Sequence, residues 1–241
     1  MEIFNRPSLL YISHRGFRPL APDNSLPGFE YAAILKQWAI ETDVHMSADG
    51  VLVCNHDPSV DANYNGTGMI RDMTWAELSA LRLKTGSRTE CFTDAQLRMP
   101  LFAEYLAICK KYNCVPFIEM KTDRAEAIVQ AVREAGFEDD QVVMSTANLD
   151  WLADVRSCSK DMFLHWIFAR EDGLERLSAL GNAGLSWNYP NCRECPKEKI
   201  QLAHDMGLKV CLRAGDNVED VTYMQELGLD YIPTNCMHET L

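Results

Sequence analysis

Short apolar runs alternate with stretches of helical periodicity along most of the chain. The runs predict strands at Leu9–Ser13, Ala39–His45, Val51–His56, Val115–Lys121, Gln141–Thr146, Asp161–Ile167, Gly184–Asn188, Lys209–Arg213 and Asp230–Pro233. The periodic stretches predict helices over Leu26–Lys36, Pro100–Tyr112, Arg124–Ala135, Leu149–Cys158, Gly173–Leu180, Pro196–Met206 and Val218–Leu227. Gly136, Gly207 and Gly228 each stand just past a helical pattern, where helices stop. Strands alternating with helices of this length build βαβ units and a parallel sheet. About eight such units close into an α/β TIM (β/α)8 barrel. A doubly wound open sheet is the alternative, but no GxGxxG follows the first strand to give it its usual ligand.

One segment breaks the rhythm. Residues 57–99 are too long for a simple connection. They carry Asn65-Gly66-Thr67-Gly68, a helical pattern at Trp75–Leu83 and a polar run from Lys84 to Gln96. This reads as an insertion after the second strand region, covering one end of the barrel. With no linker or repeat in sight, residues 1–241 read as a single domain.

Composition narrows the partners. The net charge is −12, which disfavours nucleic acid and stable association with an anionic membrane. It leaves room for a small phosphate compound, since local cations decide that. No stretch approaches the roughly 18 apolar residues of a membrane-spanning helix. No basic segment followed by a long apolar run opens the chain, so a cytoplasmic location is expected. Of nine cysteines, Cys54, Cys109, Cys114 and Cys211 sit in apolar patterns and read as small core residues. Cys192 and Cys195 form a CxxC. Without a second CxxC or paired histidines, two free thiols in a loop are favoured over a zinc or redox site.

The chemistry gathers on two strands. In Glu41-Thr42-Asp43 and Glu119-Met120-Lys121 the charged residues are two apart and share a strand face. Carboxylates inside a parallel sheet must be paired or bind a metal. Glu41, Asp43 and Glu119 could hold a hard divalent cation: magnesium, calcium or manganese. The competing account is a set of ion pairs, Lys121 with Glu119 and Arg15 with Asp43. His14 and His56 stand at predicted strand ends, where barrel enzymes keep their catalytic groups. One imidazole could deprotonate a nucleophile while the other protonates a leaving alkoxide. Asp57 could orient His56 or cap the next turn. Arg15 and Lys121 could meet the charge of a phosphodiester. His45, His165, His204 and His238 read as structural.

These residues resemble the glycerophosphodiester phosphodiesterase family. The resemblance lies in His14-Arg15-Gly16, Pro22-Asp23-Asn24-Ser25 for a P-E-N-T segment, Glu41-Thr42-Asp43, His56-Asp57 and Glu119-Met120-Lys121. It implies a TIM barrel that cleaves a small glycerophosphodiester to an alcohol and glycerol 3-phosphate. It also implies metal ligands Glu41, Asp43 and Glu119, acid–base residues His14 and His56, and substrate contacts from Arg15, Lys121 and Asn24. Whether water or a substrate hydroxyl attacks first stays open. The P-E-N-T glutamate is replaced by Asp23, one methylene shorter. At the end of the chain, Arg213-Ala214-Gly215-Asp216 and Thr234-Asn235-Cys236-Met237 stand where the family has W-T-V-N and T-D-x-P. Arg213 could therefore contact an anionic part of the substrate, or pair with Asp216 or Glu219. A phospholipase-D-like lipid phosphodiesterase and a catalytically silent phosphate-binding barrel are the other readings. The silent barrel is disfavoured because both histidines and all three carboxylates are kept.

Overall fold

The computed structural model describes residues 2–5 and 9–238. Eight parallel strands form a nearly closed barrel: β1 (Tyr11–Ser13), β2 (Ala39–Met46), β4 (Val115–Met120), β5 (Val143–Thr146), β6 (Phe163–Trp166), β7 (Ala183–Ser186), β8 (Lys209–Cys211) and β9 (Ile232–Thr234). The short β3 (Leu52–Cys54) pairs antiparallel with the end of β2. Around the ring the order is β8-β7-β6-β5-β4-β2-β1-β9. No ladder joins β8 to β9 among the described residues. The seam is closed by the Asp230 N–H donating to Val210 O at 2.9 Å and the Gly215 N–H donating to Pro233 O at 2.8 Å.

Helices α1 (Leu26–Ile34), α3 (Phe102–Tyr112), α4 (Ala125–Glu134), α5 (Leu149–Cys158), α6 (Leu174–Leu180), α7 (Lys197–Asp205) and α8 (Val218–Glu226) alternate with the strands. Ile40, Ile118, Met144, Leu164 and Val210 face outward into a continuous core with Phe29, Leu106, Ile128, Leu152 and Ile200 of these helices. Each such side chain removed from water contributes about 1.5–3 kcal/mol. This shell fixes the strands, and strand alternation then fixes which residues point into the barrel.

The interior changes character along its axis. Its floor is apolar: Ile12, Ala39, Val115, Phe117, Val143, Phe163, Cys211 and Tyr231 form one buried cluster. Tyr231 crosses this floor, and a Cβ on Gly184 would lie 2.7 Å from its hydroxyl, so only glycine fits there. One layer nearer the strand C-termini the register runs Asp43, Glu119, Ser145, His165 across β2, β4, β5 and β6. Between the two layers, Tyr105 of α3 reaches the sheet. Its hydroxyl donates to Ile40 O at 2.6 Å and accepts from the Phe117 N–H at 3.0 Å, tying β2 to β4 beneath the acidic residues.

Residues 57–99 carry their own buried cluster of Val60, Tyr64, Ile70, Leu78, Leu83, Leu97 and Met99, packed with Val53 of β3. The helix expected over 75–83 is shorter. It is α2 (Trp75–Ser79), opened by a capping box between Thr74 and Glu77. Leu83 leaves the helical path because it bridges Tyr64 and its N–H donates to Leu97 O.

Candidate active site

The polar layer opens into a cavity of about 330 Å³ at the C-terminal ends of the strands. His14, Arg15, Arg18, Glu41, His56, Glu119, Lys121, Arg213 and Asn235 line it. The side chains proposed from sequence for metal and acid–base work thus meet in one place.

Local backbone geometry explains how the first two motifs deliver their groups. After β1 the chain turns through Arg15 and Gly16, at φ 60° and 84°. A Cβ on Gly16 would lie 2.7 Å from the Gly28 carbonyl carbon, so α1 can approach only a glycine. The Arg15 N–H points back and donates to Glu41 Oε2 at 2.8 Å. In Pro22-Asp23-Asn24-Ser25 the work is divided. Ser25 caps α1, accepting from the Gly28 N–H at 3.1 Å. Asn24, at φ 48°, turns inward and is buried. Its Oδ1 accepts from Thr42 Oγ1 at 2.7 Å and its Nδ2 donates to Asp43 Oδ2 at 2.8 Å. Sequence reasoning placed Asn24 on the substrate. The structure bonds both ends of its amide to β2, where it holds the Asp43 carboxylate.

Glu41, Asp43 and Glu119 each offer a carboxylate oxygen within 4.8 Å of the others. The ion pairs that would make the cluster purely structural do form. Lys121 Nζ is 3.1 Å from Asp43 Oδ1 and hydrogen-bonds Glu119 Oε1, while Arg15 Nε is 3.5 Å from Asp43 Oδ2. They leave Glu41 short of a partner: its Oε1 is buried with no hydrogen bond among the described residues. Burial, then the charges of Asp43 and Glu119, push the Glu41 carboxyl well above the usual range. Burial and Asp43 raise Glu119 too, against the pull of Lys121. Burial works against the Lys121 ammonium, yet Asp43 and Glu119 outweigh it and hold its pKa above the ordinary value. Three crowded carboxylates, two of them with a buried oxygen that lacks a hydrogen bond, fit a hard divalent cation by both chemistry and spacing.

The imidazoles differ in their second partners. His56 Nδ1 faces the Asp57 carboxylate at 2.8 Å, as the orienting alternative for Asp57 required. His14 Nδ1 faces the neutral amide oxygen of Asn235 at 2.9 Å. Burial, then the adjacent Arg15, lower the His14 pKa. Two residues not singled out from sequence complete this side. Arg18 bonds Asp23 Oδ1 at 2.7 Å and Asn235 Oδ1 at 2.9 Å. The shorter acid at position 23 still reaches Arg18, with Arg15 Nη1 3.6 Å away. Arg18 follows the His-Arg-Gly motif by two residues, and that was its only signal.

Arg213 is exposed on the cavity lining and forms no ion pair among the described residues. Asp216, one of its suggested partners, is taken by Asn235 and Thr234. The remaining histidines are supporting. His45, two residues beyond Asp43 and so on its face, turns Nε2 toward the His56 carbonyl at 3.3 Å. His165 is buried on Tyr231, its Nδ1 2.6 Å from the hydroxyl, and burial lowers its pKa to about 3. His204 pairs with Asp230. Cys192 and Cys195 are buried free thiols in a short helical turn, more enclosed than the expected loop, and burial raises both pKa values.

Comparison with known proteins adds the following. The sequence profile of the Glycerophosphoryl diester phosphodiesterase family matches residues 14–239. A glycerophosphodiester phosphodiesterase of Caldanaerobacter subterraneus subsp. tengcongensis is 32% identical over 235 residues, covering 94% of this chain and 93% of that protein. The human glycerophosphodiester phosphodiesterase 1 is 28% identical over 62% of this chain and 45% of its own length. Among solved structures, a phosphodiesterase of Oleispira antarctica in complex with the product sn-glycerol-3-phosphate superposes with a TM-score of 0.83, at 22% identity over 93% of this chain and 92% of that one. A putative glycerophosphoryl diester phosphodiesterase of Silicibacter pomeroyi gives 0.81, at 23% identity over 97% and 92%. At these identities the two structures speak for the barrel fold.

Proposed function

The chain belongs to the glycerophosphoryl diester phosphodiesterase family and is an enzyme of that class; from this premise we propose that it hydrolyses a small glycerophosphodiester to an alcohol and glycerol 3-phosphate. The observation that carries the reading is the acidic cluster of Glu41, Asp43 and Glu119, with Glu41 Oε1 unpartnered, at a cavity that Glu41 and Glu119 line together with His14 and His56. The three carboxylates would hold a divalent cation, magnesium, calcium or manganese. When bound, such a cation polarises a phosphoryl oxygen and eases loss of the nucleophile's proton.

The protein's own groups do the rest. Arg15 and Lys121 meet the phosphate, where fixed positive charge favours the more anionic transition state. His14, held against a neutral amide and with a depressed pKa, suits the proton acceptor. His56, its ring oriented by the Asp57 carboxylate at Nδ1, suits the donor to the leaving oxygen. The attacking oxygen is that of water or of a hydroxyl of the substrate's own glycerol, and His14 accepts its proton in either case. Arg213 stands on the cavity wall and supplies a contact for an anionic part of the substrate. The product bound to the Oleispira antarctica protein supports a product of the same kind here.

We read residues 1–241 as one domain, with 57–99 as an insertion within it. No helix among the described residues is long and apolar enough to cross a membrane. The nine free cysteines support a reducing, cytoplasmic setting.

Release of glycerol 3-phosphate from a panel of glycerophosphodiesters tests the reading. Turnover requires a divalent cation, stops with a chelator, and falls about 10²–10⁴-fold in His14→Ala and His56→Ala. Full turnover in excess chelator, or in either variant, refutes it.

A further inference from the structure

His14 and Asn235 lie 221 positions apart and meet because β1 pairs with β9. Two neighbours of the Asn235 side chain have a fixed polarity. Arg18 Nη1 can only donate, and it lies 2.9 Å from Asn235 Oδ1. The Asp216 carboxylate accepts from Asn235 Nδ2 at 2.6 Å and from the Asn235 N–H at 2.7 Å. The amide therefore has one orientation: oxygen toward Arg18 and His14, nitrogen toward Asp216. His14 Nδ1 is 2.9 Å from that oxygen, and only a protonated nitrogen can bond it. In the neutral ring the lone pair then sits on Nε2, which has no hydrogen-bond partner among the described residues.

We infer that Asn235 is a positioning residue that fixes the Nδ1–H tautomer of His14 and so directs Nε2 to the reacting centre. The inference rests on the proposed role of His14 in proton transfer. In that step the attacking O–H gives its proton to Nε2, and the attacking oxygen bonds phosphorus. The bond from phosphorus to the leaving oxygen breaks, its electron pair stays with that oxygen, and His56 protonates it. An amide sets the tautomer without placing a negative charge against the ring. The other charged groups facing His14 are Arg15, Arg18 and Asp43. Asp216 is held one amide away.

Two variants of the full-length, metal-loaded chain test this. Asn235→Ala removes the acceptor and lowers kcat about 10²-fold with KM little changed. The paired exchange Asn235→Asp with Asp216→Asn keeps the net charge but moves the acid against His14 Nδ1. The acidic limb of kcat/KM then shifts upward by about one pH unit, a roughly tenfold loss below the limb. A side chain at position 235 that does not bond the ring leaves that limb in place. Imidazole ¹⁵N shifts of His14, read without substrate, report Nδ1–H in the parent chain. An Nε2–H tautomer, or an unmoved limb in a folded paired exchange, overturns the inference. If no glycerophosphodiester is turned over while the Nδ1–H tautomer is observed, the proposed function fails and the tautomer assignment stands.

Discussion

Removing divalent cations is expected to lower the thermal stability of this chain, with a loss that grows with pH. The magnitude follows from the spacing of Glu41, Asp43 and Glu119, whose nearest oxygens lie within 4.8 Å of one another. At that separation two like charges repel by about 3.5 kcal/mol for an effective dielectric near 20. Lys121 offsets this for Asp43 and Glu119, which leaves Glu41 facing two anions with one buried oxygen unpartnered. Without a cation, the folded chain relieves the strain by keeping a proton, so the folded pKa of Glu41 lies above its unfolded value. The folded state then binds more protons than the unfolded one. Stability is fully present below the ordinary glutamate pKa and declines as pH rises toward the folded value, by about 1.4 kcal/mol per unit for one group. A cation at 100 times its dissociation constant restores about 2.7 kcal/mol. For a chain of this length that corresponds to roughly 5–10 °C in Tm. Thermal unfolding with chelator or with excess magnesium, manganese or calcium, at about pH 5 and about pH 7.5, measures both the shift and its sign. Glu41→Gln flattens the pH dependence of the chelated protein and shrinks the response to cation. An equal cation-induced shift in Glu41→Gln and the parent, or a chelated Tm that does not fall with pH, refutes the reasoning.

Three further outcomes are expected. Asn24→Ala frees the Asp43 carboxylate from its amide and weakens cation affinity about 10–100-fold, read by titration of the chelated protein while the fold is kept. Tyr105→Phe leaves the Ile40 carbonyl and the Phe117 N–H without the bridging hydroxyl, costing about 2 kcal/mol in chemical denaturation. An unchanged midpoint would show that the strands pair without it. Arg213→Trp alters the ranking of substrates with anionic and neutral head groups and leaves cation affinity untouched, as competition assays would show.

What could be read in the chain and what could not divide along a physical line. Alternation along a strand is local, so the shared faces of Glu41 with Asp43 and of Glu119 with Lys121 are legible in the sequence itself. Helix-stopping glycines and strand–helix alternation are local too, and they led to the barrel. The bonds of the Asn24 amide to Thr42 and Asp43 depend on its left-handed backbone, which leaves no mark in the pattern of polar and apolar residues. The Arg18, Asn235 and Asp216 network was invisible for another reason. It exists only once β1 and β9 lie side by side, and no periodicity in the sequence encodes that closure. The early end of α2 likewise depends on Leu83 finding Tyr64 and Leu97 across the insertion.

The pairing of the first strand with the last also sets a schedule for the molecule. His14 emerges from the ribosome long before Asn235, Asp216 and the seam residues that anchor it. Until β9 docks, the imidazole lacks its Asn235 contact and the ring of strands is open on one side. A nascent or prematurely released chain can therefore assemble its acidic cluster early, because β2 and β4 are adjacent, and still lack the Asn235 contact to His14, the proposed proton acceptor. Onset of hydrolysis during refolding would thus time the last docking event rather than the collapse of the core.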